Sequence, residues 1–280
     1  MLGAGLYAHG HVSFEALRAH AAGTAGTAGA AGTGSPDPSL TAVAPRPALV
    51  PARELRRLPD PARLGVEVVV QACAMAGIDP GDVVPVFTST LGDSAITDYM
   101  CRTLAGPQKL LSPLRFQNSV HNAPAGSLSI LTGNEHPCSF VAAFDDSFAL
   151  ALLEALVLCA TQACPVLLVC TDVPVPAPLS DVHGGGALAG CALLLGTADA
   201  DADAGRSGTV TLSGSVRPHV AAPEATPGGA PLQRPATVQA RPVLDALAAG
   251  RALDTALPVG PGSALQVRLS ARRATGSVPA

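Results

Sequence analysis

The chain has 280 residues, 48% of them hydrophobic and 14% charged, with a formal net charge of −4. That is enough apolar material for one large domain, and the acidic balance excludes a broad phosphate-binding surface of the kind nucleic acids need. The longest apolar runs, Phe148–Leu153 and Ala155–Ala160, are split by Glu154 and too short to span a bilayer. With no basic segment leading into an apolar run at the start, a soluble, cytoplasmic protein without a membrane span is expected. The seven cysteines include no Cys-x-x-Cys spacing, which points to reduced thiols buried as small hydrophobes.

In chain order, residues 1–20 open with Gly3 and Gly5 and continue into a helical pattern over Phe14–His20. Residues 21–47 are Ala, Gly, Thr, Ser and Pro with almost no large apolar side chain, a composition that predicts a low-complexity loop. The body, 48–196, alternates the two periodicities. A helix is predicted over Ala62–Met75 with Gly77 as its stop, then a strand over Val83–Thr88. Helices over Ser94–Leu104 and Asn122–Leu131 follow, the second ended by Gly133. A short strand Ser139–Ala143 leads into a nearly all-apolar helix Ser147–Ala163. Continuous apolar strands Val166–Cys170 and Gly190–Leu195 complete the body. Residues 197–240 are read as a second low-complexity loop, interrupted by strand-like Thr209–Val216. Helix-like Val243–Ala249 and strand-like Ala264–Leu269 close the chain. The pattern predicts an α/β fold with one mixed five-stranded sheet covered by helices, and residues 1–280 as a single domain with its core at about 48–196.

Few motifs carry chemistry. Gly3-x-Gly5-x-x-Ala8 and Gly184-x-Gly186-x-x-Ala189 fit a relaxed dinucleotide fingerprint, but neither has the strand before and the helix after that the motif requires. His9 and His11 lack a nearby carboxylate or thiolate, so no metal site is predicted. No cofactor is predicted either. Asp145-Asp146 could serve acid–base work, but adjacent residues point apart, and an N-cap for the helix at Ser147 is the plainer reading.

The run Phe116-Gln117-Asn118-Ser119-Val120-His121-Asn122-Ala123-Pro124-Ala125-Gly126, then His136–Ala143, resembles the N-terminal half of β-ketoacyl synthases, members of the thiolase-like superfamily. Helix Ser147–Ala163, strand Val166–Cys170 and Asp181–Leu195 continue the resemblance, which covers roughly 50–196. Ser-Val-His-Asn is its most specific piece, and it resembles the short, chain-length-factor-like branch associated with aryl polyene and type II polyketide clusters. The resemblance implies half of a thiolase-like fold. Aligned on the long helix, it puts Asp145, or Asp146 one residue on, where the family carries a cysteine nucleophile. A carboxylate there forms no stable thioester and opposes a developing oxyanion. The family's catalytic histidines belong to a second half, and beyond residue 183 this sequence has only His219.

The resemblance therefore implies a non-catalytic subunit that pairs with a full-length ketosynthase as a heterodimer and works with an acyl carrier protein. Strand Ser139–Ala143 would be the pairing strand, with Phe116, Phe140, Val141 and Ala142 at the interface and Ile96–Phe116 near the acyl tunnel. Two alternatives stay open. One is a self-associating scaffold that binds an acyl carrier or a lipid. The other is a condensing enzyme of altered chemistry, using Asp145, Asp146 or a displaced Cys138, with His121 or His183 as the histidine within reach. For His121 a capping or interface hydrogen bond is the simpler role.

Overall fold

The computed structural model describes residues 1–8, 11–25, 43–162, 164–183, 186–197, 210–218 and 235–271. Its centre is a mixed sheet of five strands, β1 (Gly3–Tyr7), β2 (Val84–Thr88), β3 (Ser139–Val141), β4 (Val166–Asp172) and β5 (Ala189–Leu195), in the spatial order β1-β5-β4-β2-β3. The β2 strand runs parallel to both β3 and β4, whereas β5 is antiparallel to β4 and to β1. Every residue of β2, β4 and β5 is buried, as continuous apolar runs require when helices cover both faces of a sheet.

Helix α1 (Phe14–Ala25) precedes the short α2 (Ala52–Leu55), and α3 (Asp60–Ala76) covers one face of the sheet. Gly77 ends α3 in the left-handed conformation at φ 65°, with its N–H and that of Ile78 returning to carbonyls of the last turn. Then come α4 (Ser94–Ala105), α5 (Pro113–Gln117) and α6 (Ala123–Thr132), and α7 (Ser147–Thr161) follows β3. The short α8 (Leu179–His183) links β4 to β5, and α9 (Ala236–Ala248) lies near the end. Leu64, Val68 and Ala72 of α3 pack with Leu128 of α6 on one face, around Phe87 and Val169. Phe148 and Leu152 of α7, Leu17 of α1 and Leu244 of α9 pack on the other, around Val86 and Leu168.

The β1 strand is absent from the sequence reading. Its Gly3 and Gly5 are not a nucleotide fingerprint. They let the strand lie on α3, where a Cβ on either would come within 2.1 Å of a helix carbonyl, that of Ala72 or Val68.

Three further corrections concern the ends. The strand-like run near 210 belongs to a second, antiparallel sheet in the order β6-β8-β7, formed by β6 (Val210–Pro218), β7 (Leu253–Pro258) and β8 (Ser263–Ala271). Helix α9 starts at Ala236, inside the expected 197–240 loop, because Pro242 sits within it and hides its first turns from a pattern reading. The core is wider than 48–196: Ala4, Leu6, Phe14 and Leu17, and Ala240, Leu244, Leu265 and Val267, are part of it. Of the loop expected at 21–47, 21–25 continue α1, and 26–42 lie outside the described residues, as do 198–209 and 219–234.

A buried carboxylate ties the C-terminal helix to the sheet. Asp172, at the end of β4, accepts from Thr90 N–H at 3.0 Å and from Thr237 N–H and Oγ1–H at 2.9 Å each. Thr90 Oγ1 accepts in turn from Ala236 N–H at 2.7 Å. These donors offset the cost of burying the charge.

Candidate functional site: an open sheet edge and a strained corner

The sequence places a three-residue strand at the rim of the sheet. β3 pairs with β2 alone, from Val86 opposite Ser139 to Thr88 opposite Val141, and among the described residues no strand pairs with its other side. Large apolar side chains stand in solvent elsewhere in the body: Phe144, just after β3, is 60% exposed, Ile130 87% and Phe116 59%, with Leu110, Leu114 and Val120 also exposed. An unpaired strand edge is normally protected, by a short strand, a charge or a covering element.

The four expected interface residues divide. Phe116 and Ala142 face outward. Phe140 and Val141 are half-buried and pack against the two inner cores, Phe140 against Phe87 and Val141 on the α7 side, so each offers its backbone to the edge. Arginine at Val141 would therefore strike the chain's own core as well as any partner.

Between β3 and α7 the chain turns through a single 3₁₀ turn, Phe144–Asp146. Its corner is Phe144, at φ 49°, a left-handed conformation that is unfavourable for a bulky side chain. Ser147 fastens the turn, its Oγ accepting from Ala143 N–H at 2.9 Å and donating to Phe144 O at 2.7 Å. Thr88 Oγ1 donates to Ser147 O at 3.2 Å, which locks the start of α7 to β2.

Asp145 and Asp146, expected from the resemblance at the nucleophile position, come after this corner, not at it. Asp146 holds the N-cap position of α7 but makes no side-chain cap bond. Desolvation raises its pKa first of all, and the charge of Asp145 adds to the rise. No thiol occurs in the turn. Cys138, at the outer end of β3, has its thiol pushed up to about 11 by desolvation, which keeps it protonated and a poor nucleophile at neutral pH.

His121 stands over Phe140, ring centroids 3.8 Å apart, and burial lowers its pKa. Beneath this pair, at the carboxyl ends of β2, β3 and β4, a cavity of about 180 Å³ is lined by Ser89, Asp93, Asn118, His121, Phe140 and Thr171, among others. Sequence reasoning found His121 and Phe140 but missed Phe144, Ser89, Asp93 and Thr171. His183 ends α8, and its side chain lies outside the described residues, as does His9. Among the described residues no group of His, Cys, Asp or Glu could hold a metal ion, and no helix is long and apolar enough to cross a membrane.

Solved structures share this architecture. The ketosynthase ApeO in complex with its chain length factor ApeC, from Xenorhabdus doucetiae, matches with a TM-score of 0.64 at 22% identity, over 94% of this chain and 96% of that one. The ishigamide ketosynthase/chain length factor matches with a TM-score of 0.65 at 14% identity, over 96% and 98%. The type II polyketide complex AntDE:AntF, an acyl-carrier protein with its ketosynthase bound to the hexaketide, matches at 0.57 and 15%, over 78% and 68%. At these identities the likeness is one of fold. No curated protein matches the sequence. The profile of the β-ketoacyl synthase N-terminal domain matches residues 33–248. This chain belongs to the β-ketoacyl synthase N-terminal domain family.

Proposed function

We propose that the chain, as a single domain over 1–280, is a non-catalytic, chain-length-factor-type subunit. It pairs with an active β-ketoacyl synthase in fatty-acid or polyketide synthesis of the aryl polyene kind. The observation that carries this reading is the open edge of β3 leading straight into a corner that holds Phe144, Asp145 and Asp146 where a condensing enzyme needs a thiolate. We assign the lost nucleophile position to Phe144, the strained residue of the strand-to-helix turn. A phenyl ring cannot form a thioester, and the carboxylates at the start of α7 oppose an oxyanion there. The elevated thiol of Cys138 argues against a displaced nucleophile.

In this reading β3 extends the partner's sheet, with Phe116, Ala142 and the backbone of Phe140 and Val141 at the contact. The interface buries on the order of 2,000 Å² or more in total, as core-like obligate pairs do. Fold neighbours that are ketosynthase and chain length factor pairs support the choice of partner. The acyl carrier protein delivers substrate to the pair, inside the cytoplasm. The test is co-expression with a β-ketoacyl synthase of the same host. A stable one-to-one complex that elongates acyl chains, with no acyl adduct on this chain by intact mass, supports the reading. A hydroxylamine-labile adduct on Cys138, Asp145 or Asp146 refutes it in favour of an altered condensing enzyme. Self-assembly without ketosynthase binding refutes it in favour of a scaffold.

A further inference from the structure

The Ser-Val-His-Asn run is the most specific piece of the sequence, yet the pairing role makes no use of its histidine. Residues 118–122 form a short link between α5 and α6, and both of its ends are fastened. Asn118 Nδ2–H donates to the Arg57 carbonyl at 3.2 Å, and Ser119 Oγ–H donates to the Phe116 carbonyl at 2.7 Å. On the other side, α6 is anchored on α3 through buried Ala125 and Leu128. The link therefore sets the His121 ring in one place, against Phe140 of β3. Asn122 holds the N-cap position of α6, and among the described residues the imidazole makes no hydrogen bond. The capping bond expected of His121 is not made, and the ring contact is its tie to the fold.

The β3 strand needs such a tie. Three residues paired on one side make few ladder bonds, so side-chain contacts decide whether the strand stays in place. Its two faces are held unequally. Toward α7, Val141 packs on the core and Ser139 Oγ–H donates to Glu154 Oε1 at 3.3 Å. Toward α3 the strand offers Phe140 alone. The Phe140 ring stacks on fully buried Phe87 of β2, centroids 6.0 Å apart and planes 17° from parallel. His121 meets the same ring with its centroid 3.8 Å away. Phe140 thus joins a ring of the inner sheet to a ring of the link, and His121 is the surface member of the three. Aromatic contacts of this kind add to simple burial and fix the relative placement of the elements that carry them.

We propose that His121 is a positioning residue for β3: its ring, set by the link, holds Phe140 in place and so keeps the open edge extended and in register. The outward N–H and C=O groups then stand ready before a partner strand arrives, a consequence that rests on the proposed pairing role, whereas the positioning itself does not. The test is hydrogen–deuterium exchange of the full chain as wild type, His121→Ala, His121→Phe, Phe140→Leu and the His121→Ala/Phe140→Leu double variant. His121 stands at the surface, so His121→Ala should fold. The peptide spanning 139–141 should exchange about tenfold faster in His121→Ala, since an aromatic contact is worth up to about that factor, while the peptide spanning β4 exchanges as in wild type. His121→Phe keeps a ring and should restore the wild-type rate. In the Phe140→Leu background His121→Ala should add little, because its target ring is gone. Unchanged exchange at 139–141 in His121→Ala, an equal loss in His121→Phe, an equal change at β4, or a full further loss in the double variant would each overturn the proposal. Affinity for a β-ketoacyl synthase should fall about tenfold in His121→Ala and recover in His121→Phe. A wild-type chain that binds no synthase defeats the pairing role, and the exchange rates still decide the positioning.

Discussion

The two edges of the central sheet are finished in opposite ways. At one edge, all five residues of β1 are buried, and the strand lies on α3 through Gly3 and Gly5. Gln71 of α3 closes that edge: its Oε1 accepts the Leu6 N–H at 2.9 Å and the Phe14 N–H at 3.4 Å, while its amide donates to Val12 O and Glu67. At the other edge, β3 has three half-exposed residues, no second strand among the described residues, and exposed Phe144 three residues beyond its end. One edge is closed with the chain's own side chains, and the other is left for something else to close. The contrast is what the proposed pairing role of β3 predicts, since an uncovered strand edge is normally protected.

Substitutions can break this contrast. The largest effect is expected from Val141→Arg, which forces a charge against the α7-side core and should destabilise the isolated chain by about 3 kcal/mol in chemical denaturation. Its neighbour Ala142 is exposed, so Ala142→Arg should leave the denaturation midpoint within experimental error. Equal losses at both positions would mean that β3 is core along its whole length. At the closed edge, Gln71→Leu leaves the Leu6 N–H without its acceptor and should cost about 2 kcal/mol by the same measurement. No loss there would mean that β1 needs no closure.

The corner gives a smaller effect of opposite sign. Phe144→Gly relieves the left-handed strain, offset in part by the freer unfolded chain, so the isolated subunit should be unchanged or more stable by up to about 1 kcal/mol. A clear loss of stability would make Phe144 a packing residue. The smallest effect is a pH slope at His121. Burial lowers its pKa, so the unfolded chain takes up the proton first as pH falls below the ordinary histidine value. Stability should therefore decline through that range and level off below the folded-state pKa, and His121→Phe should remove this part of the slope. An unchanged slope in the variant would assign it to another group.

How much of this is legible in the sequence depends on whether the signal is local. The buried strands Val84–Thr88, Val166–Asp172 and Ala189–Leu195, and the Gly77 and Gly133 stops, announce themselves as apolar runs and turn residues. The β1 strand does not, because Gly-Ala-Gly lacks the branched side chains of a strand, and its glycines serve a close approach to α3 that only the folded chain displays. The β7 strand alternates with one exposed face, so Leu253–Pro258 carries a weak apolar signal. At the site, Ser-Val-His-Asn points to His121, but nothing in a phenylalanine announces a positive φ, and the turn's corner falls one residue before Asp145. The cavity is harder still. Thr171 and Ser89 come from β4 and the end of β2, and only the parallel pairing of these strands brings them together.

The proposed role of the open edge is tested most directly by native mass spectrometry of the full chain co-expressed with a β-ketoacyl synthase, as wild type and as Ala142→Arg. The expected result is a one-to-one complex with the wild type and its loss with Ala142→Arg, corresponding to at least about a hundredfold weaker association, since a charge would be buried in the paired edge. A complex that survives Ala142→Arg, or a wild-type chain that never binds the synthase, would contradict the assignment of β3 as the pairing strand.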